Sequence, residues 1–171
     1  MSLIAEVSPK LVPIAGKVAA RSELQNIALV DGRATLSPSF VMGGCHFSSE
    51  GLSAHVQRHR GKVWIRDKKI LCTLIQFTFT AKEKNTKGKN PFLNIAATIL
   101  AEYQLAEGFV PTLEEQKAFL DVNAAFNCWP YWREFVQSTA GRMNLPPLTV
   151  PFFRVRPKES EKTKLLAEGK K

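Results

Sequence analysis

Apolar and polar residues alternate along the middle of this chain. The longest run places Leu93, Ile95, Ala97, Ile99, Ala101, Tyr103 and Leu105 opposite Asn94, Thr98, Glu102 and Gln104. A period of two puts each set on one face of a strand. At up to about fourteen residues the strand exceeds the usual five or six, long enough to continue into a neighbouring subunit's packing surface. Leu71, Ile75, Phe77 and Phe79 alternate with Gln76, Thr78 and Thr80 in a second strand rich in β-branched and aromatic residues. Leu52, Ala54 and Val56 alternate with Ser53, His55 and Gln57 in a third. From Leu24 the pattern weakens: Leu24, Ala28 and Val30 fall on one side, Gln25, Ile27 and Leu29 on the other. Both sides are partly apolar, as for a strand covered on two faces or near an interface. Asp31-Gly32 interrupts it as a turn or bulge, or joins two short strands as a hairpin. Ser37-Pro38 and Gly43-Gly44 mark a loop, KEKNTKGKNP a polar hairpin loop, and RGKVWIRDKK a basic connection of no evident conformation.

The period then changes. Gly108 and Pro111 end the strands, and Thr112-x-x-Glu115 is a capping-box signature. It opens a helix over about Leu113 to Phe126 that buries Phe119, Leu120, Val122 and Phe126. A second helix starts at Pro130, whose missing N–H has no partner to lose at a first helical position. Trp132, Phe135, Val136, Thr139 and Met143 make its apolar stripe. Gly141 and then Pro146-Pro147 stop it. Strands followed by helices predict an α+β domain with the helices covering one sheet face. Residues 1–20 carry no clear period and read as an arm or a short helix. Residues 21–156 form one domain, and 157–171 are a charged tail expected to be disordered.

Composition adds limits. At 171 residues and 44% hydrophobic the chain buries a proper core without staples. No run of eighteen apolar residues predicts a membrane helix. The N-terminal stretch lacks the basic and continuous apolar regions of a secretory signal, so cytoplasmic residence is expected. Three cysteines without close spacing argue for a reducing compartment. The net charge of +9 is clustered at Arg58–Lys69, at Lys82–Lys89 and in the Lys-rich tail. Such clusters are footprints for nucleic acid or membrane, or simply solvated turns.

Candidate chemistry is sparse. His55 and His59 sit roughly 13 Å apart on the predicted strand, too far for one metal shell. Cys45-His46 has no second cluster, and Cys72 and Cys128 read as small core residues. There is no nucleophile elbow, paired acid–base carboxylates or phosphate-cradling loop. No enzyme activity, metal or cofactor is expected.

The segment Trp129-Pro130-Tyr131-Trp132-Arg133-Glu134, followed by Pro147-Leu148-Thr149-Val150-Pro151, resembles the C-terminal half of the SecB family of export chaperones. The order of strands first and helix last extends the resemblance back to about Gln25. It implies a four-stranded antiparallel sheet with C-terminal helices on one face, assembled as a homotetramer. It implies an ATP-independent holdase for unfolded or partly folded polypeptides, without cofactor, serving export or one dedicated client. By this resemblance the client surface is placed at Phe40, Val41, Met42 and Phe47 in the crossover loop, with Phe77, Phe79, Tyr131 and Leu148 beside it. Typical members meet the translocase motor SecA through acidic surfaces. This chain departs from that pattern with basic hairpin loops and a Lys-rich tail. A specialised member serving a toxin–antitoxin system, with an antitoxin as client, fits the departure. A nucleic-acid-binding module using the basic clusters, or a structural oligomerisation protein, are the other classes the residues leave open.

Overall fold

The computed structural model describes residues 4–7, 10–42, 52–59, 61–83, 90–145, 148 and 150–157. Its elements are β1 (Ile4–Val7), α1 (Leu11–Ala19), β2 (Ser22–Leu36), α2 (Pro38–Met42), β3 (Leu52–Arg58), β4 (Lys62–Arg66), β5 (Ile70–Glu83) and β6 (Leu93–Leu105). Then come α3 (Leu113–Phe119), a π-helical turn (Leu120–Ala124), α4 (Ala125–Arg142) and β7 (Arg154–Pro157). The architecture is α+β, with an antiparallel sheet ordered β2-β6-β5-β3. The sheet has five strands in four rows, because β3 and β4 pair in succession along the same side of β5. The basic connection therefore contains a strand. Its hairpin turn carries Asp67 at φ 52° and Lys68 at φ 55°, closed by Lys69 N–H donating to Arg66 O at 3.1 Å. Two left-handed residues suit a tight hairpin, but Asp-Lys lacks the glycine that would announce it.

Strand β6 is central, flanked by β2 and β5. Its odd-numbered residues from Leu93 to Leu105 are all buried, as the alternation predicts. Pairing explains the muddled pattern of β2. Register shifts between Leu24 and Asn26, and between Leu29 and Asp31, mark two bulges in one continuous strand rather than a hairpin. Each bulge adds a residue and reverses the parity. Leu24, Ile27, Leu29, Gly32, Ala34 and Leu36 consequently all lie opposite buried positions of β6 and share one face. Val30 stands at the second bulge and is 57% exposed. Gly32 meets the helix layer so closely that a Cβ there would lie 2.8 Å from Phe135 Cζ.

The capping box forms: Glu115 N–H donates to Thr112 Oγ1 at 3.3 Å, and Thr112 N–H donates to the Glu115 carboxylate at 2.9 Å. The helix does not restart at Pro130, which lies inside α4. Proline in a helix frees the carbonyl four residues back; that residue, Phe126, and Pro130 are both exposed, where water can serve the freed carbonyl. The π turn also corrects the expected burial of Phe126. It inserts an extra residue into the helical spacing and rotates the turns downstream of it. Phe126, expected in the core, is 57% exposed, while Cys128, Trp129, Trp132, Val136 and Ala140 face the sheet. The helix ends at Asn144 (φ 55°), where Leu145 N–H reaches back to Ala140 O at 2.9 Å. This left-handed cap, rather than Gly141, is the stop.

Of the two N-terminal readings, arm or short helix, a short helix forms. Helix α1 packs against α3 and buries Ala15 and Val18 completely. Strand β1 pairs in parallel with β7, Ile4 opposite Arg154 and Val7 opposite Pro157. The two ends of the described chain are thereby joined.

Candidate functional site

The Trp-Pro-Tyr-x-Arg-Glu segment divides its work by helical spacing. Trp132 points into the core, fully buried, stacked on Phe77 at 5.8 Å between centroids. Trp129 meets Phe77 edge-on at 5.5 Å and Phe153 at 5.1 Å. One turn apart, Trp129 and Arg133 fasten the segment after the helix. Trp129 Nε1 donates to Pro151 O at 2.9 Å, and Arg133 Nε donates to Val150 O at 3.0 Å. The Arg133 guanidinium also lies 4.6 Å over the Phe152 ring. Buried Val150 and Phe153 complete the strap. Sequence reasoning missed this role; the signal was the i,i+4 spacing of Trp129 and Arg133 ahead of an extended apolar tail. Tyr131, on the outer side of α4, is 50% exposed.

The other site residues fall in three environments. Phe40 and Val41 lie on α2, with Met42 ending it. Phe40 stacks on Phe92 with centroids 4.5 Å apart, and Ser37 holds the helix start through Phe40 N–H to its hydroxyl at 3.3 Å. Val41 is half-exposed beside them. Leu148 is half-buried against the core. Phe77 and Phe79 are buried in the core rather than exposed, on the face of β5 that lies under α4. Phe47 lies outside the described residues.

Two sheet edges pair with no described strand, the outer edge of β2 and that of β3 and β4. Leu24 and Leu29, on the long β2 edge, are half-exposed. The sheet face away from the helices is laced by Glu102, which accepts from Arg66 Nη1 at 2.6 Å and from Asn26 Nδ2 at 3.1 Å. Its hydrogen bonds from Asn26 and Arg66 hold the Glu102 carboxyl below the usual carboxylate range. A lowered folded value contributes stability that is full above the unfolded pKa and lost as pH falls through the folded one. Glu102→Gln should therefore flatten the melting-temperature loss as pH falls below the ordinary glutamate value of about 4.3. Calorimetric melting over an acid pH series checks it; an unchanged slope would remove Glu102 from the acid response.

Buried Cys128 has its thiol pushed up to about 12 by desolvation. Burial also raises the Tyr103 phenol, against the opposing Asn127 hydrogen bond at 3.2 Å. Both groups remain neutral and serve packing. His59 meets Thr78 Oγ1 at 3.1 Å, while His55 is exposed. Among the described residues no group of three or more His, Cys, Asp or Glu could hold a metal, and no helix is long and apolar enough to cross a membrane.

Models of protein families give no match to this chain. Two curated proteins of Mycobacterium tuberculosis do, the SecB-like chaperones Rv1957 and MT2006 of two strains. Each is 44% identical over 52 residues, 30% of this chain. The match covers 29% of the length of these relatives. Among solved structures, Mycobacterium tuberculosis Rv1957, a SecB-like chaperone in complex with a ChAD peptide from the Rv1956 HigA1 antitoxin, superposes with a TM-score of 0.67 at 21% identity. The superposition covers 84% of this chain and 98% of that one. The chain is thus SecB-like in fold and, over one segment, in sequence.

Proposed function

We propose that this SecB-like chain is an ATP-independent holdase that binds non-native polypeptides through exposed apolar surface and unpaired strand edges. The observation that carries the reading is a fold shared, over most of the chain, with a chaperone seen in complex with an antitoxin peptide. An antitoxin is accordingly the first client class to test, with export clients the second. Apolar surface contributes about 25 cal/mol per Å² without demanding a sequence, and a free strand edge adds backbone hydrogen bonds equally indifferent to it. The unpaired β2 edge, with half-exposed Leu24 and Leu29, suits a second copy of the chain and assembly towards a tetramer. Nucleic-acid binding is the weaker reading. In the basic cluster, Arg66 is bonded to Glu102 and Arg58 to Asp121 at 3.2 Å, so two of its cations are already occupied.

Val41 and Tyr131 are proposed as client contacts, since both are half-exposed and neither supports the core. Replacing both by serine should change stability by less than about 1 kcal/mol. The concentration needed to keep a diluted, chemically unfolded protein from aggregating should rise about tenfold. Unchanged suppression would remove these two residues from the client surface. A parent protein that suppresses nothing would remove the holdase reading itself.

A further inference from the structure

Between the outer edge of β4 and helix α3 lies a notch of about 430 Å³, lined by Gly61–Trp64 on one side and by Lys117, Leu120 and Asp121 on the other. Its volume is in the range of small-ligand sites, about 300–1,000 Å³. We propose that this notch takes an acidic side chain from an extended segment of the client, making this chaperone selective for acidic polypeptides. The proposal rests on the holdase reading and adds a charge preference to it.

Among the lining residues the charge is net positive. The one carboxylate among its lining residues, Asp121, is neutralised by Arg58 at 3.2 Å. Lys62 and Lys117 take part in no ion pair among the described residues. At the hairpin after β4, exposed Lys68 and Lys69 outnumber the exposed Asp67 beside them, and the net charge of +9 has the same sign. A basic segment would be repelled there, and an uncharged one would gain nothing from the two lysines. The notch is also shaped for an extended chain. Strand β4 pairs only with β5 among the described residues, so its outer edge has no strand partner there. Leu120 supplies apolar contact among the lining residues. Residues two apart on an extended peptide point the same way, about 6.6 Å apart, so carboxylates at that spacing can both turn towards the lysines.

The test is fluorescence anisotropy of the full chain with a short labelled peptide of valine and threonine carrying two glutamates two positions apart. Matched peptides carry glutamine or lysine instead. The glutamate peptide is expected to bind about tenfold more tightly than the glutamine one, and the lysine peptide more weakly than either. Lys62→Glu and Lys117→Glu, both on exposed side chains, should each abolish the glutamate preference; Lys117→Gln should reduce it, guarding against misfolding by the reversed charge. Equal affinity for the three peptides, or a preference unmoved by these variants, overturns the proposal even if the parent still holds unfolded protein. Displacement of the glutamate peptide by a single-stranded oligonucleotide, with a steep loss of oligonucleotide affinity in salt, overturns it in favour of nucleic acid. Failure of the parent to hold any unfolded protein would mark instead the failure of the holdase reading.

Discussion

Replacing Trp132 by alanine is expected to cost about 3–5 kcal/mol, a large share of the stability of an ordinary domain. Trp132 is fully buried and stacks on both Phe77 and Phe135, joining α4 to the middle of the sheet. Removing the indole forfeits its transfer energy and leaves a cavity between two rigid layers that cannot collapse onto it. The urea midpoint should fall by about 1–3 M. Phenylalanine should be far milder. The Trp132 Nε1 has no hydrogen-bond acceptor among the described residues, and a buried unpaired donor carries a penalty of about 1–3 kcal/mol. Relieving it offsets part of the lost ring contact. Equilibrium unfolding of the two variants decides the matter. A Trp132→Ala midpoint within error of the parent would mean that this ring does not join the layers.

Gly61→Ala should also be damaging, although it adds only one methyl group. A Cβ at Gly61 would lie 2.6 Å from the Leu74 backbone oxygen, 3.1 Å from Leu120 Cδ1 and 3.2 Å from Ile75 Cγ1. The first of these atoms belongs to a sheet backbone and cannot rotate away, so β4 must be pushed off β5. Overpacking of this kind costs about 1–3 kcal/mol. The strain should be local, because β4 contributes only five residues of edge pairing. Hydrogen exchange is expected to quicken for the β4 amides while the β6 amides keep their protection relative to global unfolding. Equal β4 protection in variant and parent would contradict the close approach drawn at Gly61.

Much of the sheet was legible because burial imposes alternation. Strands β5 and β6 are covered on their core faces by α4, and each inward residue had to be apolar or small. What escaped the pattern escaped for local reasons. The two bulges of β2 shift the inward side along the strand, so that Leu24 and Ile27, opposed by strict alternation, share a face. Strand β4 carries alternating lysine, valine, tryptophan, isoleucine and arginine, a pattern hidden by its charge and by a hairpin turn without glycine. The π turn moved Phe126 out of the core by changing helical spacing where no residue type announces it. At the candidate surface, Ser37-Pro38 marked a connection, and the short helix α2 stands there with Val41 exposed. Phe77 and Phe79 were aromatic enough for a groove, but aromatic content cannot tell a groove wall from a core; the helix lying over them can.

The proposed holdase would have both to assemble and to hold unfolded protein. Light-scattering mass of the purified chain, alone and after mixing with a chemically unfolded protein diluted into buffer, tests both halves at once. The expected mass alone is about four times 19.1 kDa, rising to a soluble complex with the unfolded protein and not with its folded form. A monomer that leaves the unfolded protein to aggregate would contradict the account.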